Sequence, residues 1–178
     1  MLKAGRLLVA TPTIVDPNFA RTVVLLCQYG EEGAVGLVLN RPSDIPVADH
    51  LPEWEQVVSE PFVGIGGPVD IEAAIGLGKG TVPAELWTPI CCDLGLVDLS
   101  RNPEETRGLK ELRVFAGYSG WGPGQLETEI AEAGWFVVDL DEHDAFRSDP
   151  IGFWSRVLRR QDGDIALFAD FPDNPNMN

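Results

Sequence analysis

Residues 22–39 read Thr-Val-Val-Leu-Leu-Cys-Gln-Tyr-Gly-Glu-Glu-Gly-Ala-Val-Gly-Leu-Val-Leu and carry the strongest signal of secondary structure in the chain. The run 22–27 is rich in β-branched residues, which predicts a strand that is buried on both faces. Residues 30–33 place two glycines around two glutamates, and a second apolar run, 34–39, follows at once. Two apolar runs joined by a short glycine-containing connection predict a β-hairpin.

Outward from this hairpin, the chain alternates short apolar runs with glycine and proline. Further strands are predicted at 7–10, 62–65, 73–77, 94–99, 112–116 and 135–140, with a last short one at 165–168. Helices are predicted at 47–58, at 125–133 and after Asp149-Pro150, where Asp is the N-cap and Pro takes the first helical position.

About eight strands and about three helices, without regular βαβ alternation, predict an α+β fold with a mixed or antiparallel sheet. The pattern leaves open whether this sheet is barrel-like. We predict one compact domain over residues 1–169 and a loosely ordered C-terminal tail over 170–178, which is polar and contains proline.

The charge of the chain excludes several kinds of partner. The 178 residues carry 13 Lys+Arg and 28 Asp+Glu, a formal net charge of −15. Nucleic-acid affinity rests on Lys and Arg displacing counterions from phosphates, so direct DNA binding is not expected. Anionic membrane surfaces are disfavoured for the same reason.

The start of the chain and the cysteines predict a cytoplasmic protein. The first apolar run has four residues, 7–10, whereas a signal peptide needs about 7–15 and a membrane span about 20. Three cysteines, two of them adjacent, do not suggest a secreted disulfide framework. Cys27 lies inside an apolar run and is predicted to be a buried thiol.

The most distinctive motif is residues 117–127, Gly-Tyr-Ser-Gly-Trp-Gly-Pro-Gly-Gln-Leu-Glu, where a strand enters a glycine-rich turn that opens a helix. Its spacing matches neither the dinucleotide-binding nor the phosphate-loop signature, and no Lys or Arg lies between Gly117 and Asp139. Two interpretations stay open. Either the glycines permit a tight turn with Trp121 packed into the core beneath it, or the segment forms a ligand or partner site.

No catalytic, metal or cofactor site is predicted. Ser119 only superficially resembles the serine of a GxSxG nucleophile elbow, since Trp121 replaces the second glycine. The two histidines, His50 and His143, have neither zinc-ligand spacing nor an evident role as a base. The acidic run 139–144 is predicted to be a solvated loop rather than a cation site.

A second set of polar residues flanks the hairpin. Asp16 and Arg21 precede its first strand, and Asn40-Arg41 ends its second. If the two strands pair, these groups converge at one end of the sheet. A salt bridge or capped turn is the default interpretation, and a small pocket is the alternative.

At these residues the chain resembles the YqgE/AlgH family. The family-like segments occur in the family's order along most of the chain: Leu7-Leu8-Val9-Ala10-Thr11-Pro12, Asp16-Pro17-Asn18-Phe19, Arg21-Thr22-Val23-Val24, residues 33–42, Gly66-Gly67-Pro68-Val69, Gly117-Tyr118-Ser119-Gly120-Trp121 and Gly124-Gln125-Leu126-Glu127. The resemblance implies a compact α+β domain of the bacterial cytoplasm and a role in transcriptional regulation, with no established catalytic residues or cofactor.

The candidate binding residues are those that share the family pattern or flank the hairpin: Asp16, Arg21, Asn40, Arg41, Tyr118, Ser119, Trp121, Gln125 and Glu127. The leading hypothesis is a non-enzymatic, indirect regulator that acts through a protein partner or small ligand. One alternative is an enzyme of unknown class with a pocket around Tyr118, Ser119, Gln125 and Glu127. Another is a structural or assembly module.

Overall fold

The predicted hairpin is present as β2 (Val23–Gly30) and β3 (Gly33–Val38). Gly30 and Gly33 are cross-strand partners, so Glu31 and Glu32 alone form the turn. The computed structural model describes residues 1–147 and 149–172. On the other side of β2 lie β1 (Arg6–Ala10) and then β10 (Trp135–Asp139), and all of these pairings are antiparallel.

A long strand, β9 (Leu109–Trp121), joins the hairpin to the rest of the sheet. Its last residues pair with β3, and its earlier part lies between β5 and β6. The remaining strands of the described chain are β4 (Pro42–Pro46), β5 (Phe62–Ile65), β6 (Val69–Gly80), β7 (Trp87–Cys91) and β8 (Leu94–Val97).

The strand order along the main path is β10-β1-β2-β3-β9-β6-β8-β7, with β4 paired to β5 beside it. The β5–β9 pair is parallel, and every other pair is antiparallel. The predicted α+β fold with a mixed sheet is therefore confirmed. Within residues 1–147 and 149–172 this sheet does not close into a barrel.

Each face of the hairpin sheet is buried under one α-helix. Leu7, Val9 and Leu25 point toward α2 (Phe153–Arg159), which contributes Trp154 and Leu158 to the same core cluster. On the opposite face, Leu8, Val24 and Leu26 pack with Trp121, Trp135 and Leu126, the last of these from α1 (Gln125–Ala131). Residues 23–27 of β2 are buried on both faces because they separate the two cores.

The three predicted helical regions are present in modified form. The region 47–58 holds two short 3₁₀ helices, Val47–Asp49 and Pro52–Trp54. Helix α2 is capped by Gly152 rather than Asp149, because Gly152 takes the left-handed conformation at φ 73°. Further 3₁₀ helices are Pro103–Thr106, Asp144–Phe146 and Gly163–Asp170.

Several local predictions were wrong. Residues 165–168 lie in a 3₁₀ helix rather than a strand. Strands β4 and β7 were missed, and β9 runs on through Gly117–Trp121 where a turn was expected. The predicted tail begins at Asp170, the last residue of a 3₁₀ helix, and residues 173–178 lie outside the described chain. The domain boundary at residue 169 stays a prediction.

The acidic run 139–144 is not uniformly solvated. Asp144 is buried, and its Oδ1 accepts a hydrogen bond of 2.7 Å from Nη1 of Arg160. This bond raises the pKa of the Arg160 guanidinium. The pair anchors the loop after β10 to the end of α2.

Candidate functional site

The four polar residues that flank the hairpin do converge at one end of the sheet. Oδ1 of Asn40 accepts a hydrogen bond from the backbone N–H of Val23, and Nδ2 donates to the carbonyl of Arg21, both at 2.9 Å. Nη2 of Arg41 donates to the carbonyl of Ala20 at 2.5 Å. Asn40 and Arg41 therefore fix the segment that precedes β2, as in a capped turn.

Asp16 and Arg21 lie at the two ends of this fixed segment. Oδ1 of Asp16 accepts from the backbone N–H of Asn18 at 2.8 Å, which closes a local turn. Arg21 has a left-handed backbone, at φ 56°, and its guanidinium lies 4.5 Å from the ring centroid of Trp154. Its Nη2 also donates to the carbonyl of Phe171. Arg21 therefore faces α2 rather than the motif at the end of β9.

Ser119 lies in the interior of the fold. It is fully buried, and its Oγ donates to the carbonyl of Gly66 at 3.1 Å. Tyr118, its neighbour on β9, is only half-buried because adjacent residues of a strand face opposite sides. The arrangement lacks the solvent-exposed hydroxyl of a nucleophile elbow.

Glu129 of α1 organises the motif, although the sequence did not single it out. Its Oε2 accepts hydrogen bonds from Nε1 of Trp121 at 2.9 Å and from Nε1 of Trp135 at 2.8 Å. Its Oε1 accepts from Nε2 of Gln125 at 2.9 Å. The two indole rings meet edge to face, with centroids 5.9 Å apart, and Phe19 packs against both.

Gln125 and Glu127 stabilise the start of α1. Oε1 of Gln125 accepts from the backbone N–H of Gly122 at 3.0 Å, so Gln125 joins the turn to Glu129. Glu127 accepts a 2.6 Å hydrogen bond from the hydroxyl of Tyr29 on β2. This bond lowers the pKa of the Glu127 carboxyl and raises that of the Tyr29 phenol.

Two clefts lie on either side of Gly120 and Trp121. The first has a volume of about 580 Å³ and runs from the hairpin turn to Tyr118, so Glu31 and Glu32 border it. The second, of about 430 Å³, lies between the Asp16 turn and α1, with Gln125 on its wall. The carboxylates that line the second cleft are Asp16, Glu129 and Glu132. No Lys or Arg of the described chain lines either cleft.

The candidate residues thus separate into groups. Tyr118, Trp121, Asp16 and Gln125 line the paired clefts, and Glu127 reaches them through Tyr29. Asn40, Arg41 and Ser119 line neither cleft, and Arg21 borders a separate cleft beside Trp154 and Phe171. Across residues 1–147 and 149–172, no three His, Cys, Asp or Glu side chains are grouped to hold a metal ion.

Within residues 1–147 and 149–172 the fold is thus a ten-stranded mixed sheet with one α-helix on each face of its hairpin, an α+β protein with an acidic double cleft beside Trp121. A sequence model of the family described as AlgH-like matches residues 7–166. This chain belongs to the AlgH-like family. In the part of the chain that the structure describes, no helix is long and apolar enough to cross a membrane.

Relatives and solved structures agree with this assignment. The UPF0301 protein SCO2948 of Streptomyces coelicolor is 47% identical over 98% of this chain and 94% of its own length. The crystal structure of protein DIP2367 from Corynebacterium diphtheriae superposes with a TM-score of 0.89 at 32% identity, covering 96% and 93% of the two chains. The solution structure of AlgH from Pseudomonas aeruginosa gives 0.69 at 26% identity, covering 96% and 94%.

Proposed function

We propose that this protein is a non-catalytic cytoplasmic binding protein, and that the paired clefts beside Trp121 hold a positively charged segment of a protein partner. The observation that carries the proposal is the charge of the clefts. Glu31 and Glu32 border one, and Asp16, Glu129 and Glu132 border the other, without a lining Lys or Arg in the described chain. Complementary charge gives such a surface specificity and a fast on-rate.

The hydrogen bonding beside the clefts supports recognition rather than chemistry. Trp121 and Trp135 are buried, and both of their indole N–H groups are bonded to Glu129. Ser119, one of the four residues of the enzyme alternative, is buried and lines neither cleft. A preorganised surface loses little side-chain freedom when a partner binds.

A regulatory role would then be indirect. A surface of carboxylates on a chain with net charge −15 repels the phosphates of DNA. It attracts Lys and Arg, so a regulator built this way acts on a protein that contacts nucleic acid or on another basic protein. This interpretation agrees with the regulatory role that the family resemblance implies and with the acidity of the chain.

The test is a fluorescence anisotropy titration with a labelled nine-residue peptide of alternating Arg and Gly. The triple variant Glu31→Gln, Glu32→Gln, Glu132→Gln removes three exposed carboxylates from the clefts without removing a packed side chain. We expect the wild type to bind and this variant to bind about tenfold more weakly, since an exposed ion pair contributes about 0.2–1 kcal/mol.

The matched control is Glu53→Gln, Glu55→Gln, Glu85→Gln, which makes the same change in net charge at exposed positions away from both clefts. It should bind the peptide as the wild type does. Equal weakening in both triple variants would show that net charge alone attracts the peptide. Unchanged binding in the cleft variant would overturn the proposal.

A further inference from the structure

A third pocket, independent of the proposed function, lies on the part of the sheet where β9 is flanked by β5 and β6. It has a volume of about 370 Å³, and most of its lining residues are aliphatic. Val47, Val63 and Val114, which belong to one buried cluster, form its interior. Sites for small molecules have volumes of about 300–1,000 Å³ and are lined by apolar side chains with a few polar groups.

The sequence creates this depression by placing small residues opposite each other. Ala74 of β6 and Ala116 of β9 are cross-strand partners, so their side chains share one face. Further along that face, Val114 and Leu112 are covered by Leu51 and Trp54 from the segment with the two short 3₁₀ helices. At the two alanines this cover ends, and the pocket opens there.

An irregular bulge of four residues in β6 forms one wall of the pocket. The register passes from Val69–Tyr118 to Ala74–Ala116, so residues 70–73 face Gly117 alone. Asp70 has a left-handed backbone, at φ 49°, a conformation that is uncommon for a residue other than glycine. The bulge lets Ile71 line the pocket while 65% of its surface stays exposed. Bulges and strained residues of this kind are concentrated at binding sites.

The polar groups at the pocket select the ligand. Its titratable lining residues are His50, on the wall that follows β4, and Glu72, on the bulge. A carboxylate ligand would meet Glu72 and the net negative charge of the chain. An ammonium group would be attracted to Glu72 while an alkyl or aryl body entered among the valines and isoleucines.

We propose that this pocket binds a small apolar amine, with its hydrocarbon part over Ala74 and Ala116 and its ammonium group toward Glu72. The pocket suits a small molecule because its volume is about 370 Å³ and residues from β4, β5, β6 and β9 all line it. The proposal rests on a different part of the molecule from the acidic clefts, so it can fail while the proposed function holds.

The experiment uses three probes with the same chain length, namely hexylamine, hexanol and hexanoate, each titrated into ¹⁵N-labelled protein. We expect hexylamine to shift the backbone amides of Ala74, Val114 and Ala116 saturably, with an affinity on the order of 1 mM for so small a ligand. Hexanol should bind more weakly and hexanoate least. Glu72→Gln should reduce binding of hexylamine to that of hexanol and leave hexanol unchanged.

Two variants test the location. Ala116→Leu fills the pocket and should abolish binding of all three probes while the protein stays folded, as its amide spectrum will show. Ile71→Ala trims an exposed wall and should weaken hexylamine binding about three- to tenfold. Its control is Leu167→Ala, a change at a residue that is 77% exposed and does not line the pocket, which should have no effect.

Three results would overturn the proposal. One is the absence of saturable shifts with any probe. Another is shifts that persist in a folded Ala116→Leu protein. The third is movement of the pocket amides with protein concentration alone, together with dimers in sedimentation, which would show that a second copy of the chain covers the pocket.

Discussion

Asn40 is the residue that joins the hairpin to the segment before it. Its side chain is buried, and both of its polar atoms are bonded to backbone groups, Val23 N–H and Arg21 C=O. The second bond holds the left-handed backbone of Arg21. Asn40 therefore has a structural role. Its hydrogen bonds hold the segment that contains the Asp16 turn, which borders the second acidic cleft.

Asn40→Ala should lower the free energy of unfolding by about 1–3 kcal/mol, because two buried backbone groups lose their partners. Urea denaturation measures this directly. Asn18→Ala, at an exposed position in the same segment, is the control and should change stability by less than about 0.5 kcal/mol. Equal stability of the two variants would mean that Asn40 is not the anchor.

The burial of the Cys27 thiol can be tested by chemical labelling. Burial raises the pKa of this thiol to about 12, so at pH 8 it is protonated and out of reach of solvent. Cys92 is exposed, and Cys91 is half-buried with a raised pKa. Brief alkylation at pH 8 should therefore label Cys92 first and Cys27 only after unfolding, as peptide mass spectrometry will report. Early labelling of Cys27 in folded protein would contradict the described core.

At the scale of elements, β9 determines the architecture. It pairs with β3 at one end and with β5 and β6 at the other, so it links the two parts of the sheet. The change of partner occurs around Gly117, which has φ 68° and lies against the backbone of Gly67 and Val69. A side chain at this point would separate strands that now touch.

Gly117→Ala should be strongly destabilising. Its Cβ would lie 2.6 Å from the carbonyl oxygen of Gly67 and 2.8 Å from that of Val69, and its backbone would be strained as well. The strain alone contributes about 1–3 kcal/mol, measurable as a lower midpoint in thermal denaturation. Gly30→Ala, where a Cβ meets nothing within 4 Å, is the control. A Gly117→Ala protein as stable as this control would contradict the close contact of Gly117 with the backbone of Gly67 and Val69.

The sequence predicts those elements whose signals are local. The hairpin 22–39 combines two apolar runs with a turn flanked by glycines, and the structure contains both the paired strands and the turn. Strand β7 was missed because Pro89 interrupts it, although proline is tolerated in a strand at the edge of a sheet. The glycines of 117–121 predicted a turn. In the structure Gly117 instead allows β9 to lie close to the backbone of Gly67, which connects β5 to β6 and is far away in sequence.

The residues beside the paired clefts were likewise predicted only where a local motif marked them. Gln125 and Glu127 stood out because they follow a glycine-rich motif, but Glu129 did not. Its role depends on two indoles, Trp121 and Trp135, that come from different strands. The pairing of Ala74 with Ala116 likewise has no signal in either segment alone. Contacts across the hairpin follow from its local pattern, whereas contacts between separate strands and helices, such as those of Glu129, have no local signal.

At the scale of the whole molecule, the net charge of −15 acquires a location. Some of the carboxylates are used in ion pairs with the arginines of α2, such as Arg156 with Asp149 and Arg159 with Asp170. Others border the clefts beside Trp121 without a lining cation in the described chain. The molecule therefore presents a field that favours basic partners and disfavours phosphate.

A labelled DNA duplex should show no saturable change in anisotropy with this protein, either at about 20 mM or at about 200 mM salt. The physical reason is that a net charge of −15 repels the phosphates, so few Lys or Arg side chains can release counterions from them. Tight binding that survives about 200 mM salt would rule out the indirect regulatory role.

Binding of a basic segment in the paired clefts is tested by following the indole N–H resonances of the five tryptophans while the basic peptide is added. Trp121 and Trp135 donate to Glu129 beside the acidic clefts, whereas Trp54 and Trp154 donate to the backbone carbonyls of Leu99 and Ala10. We predict saturable shifts of the Trp121 and Trp135 signals and none of Trp54, Trp87 or Trp154. Peptide binding that leaves Trp121 and Trp135 unmoved would contradict the assignment of the clefts as the binding surface.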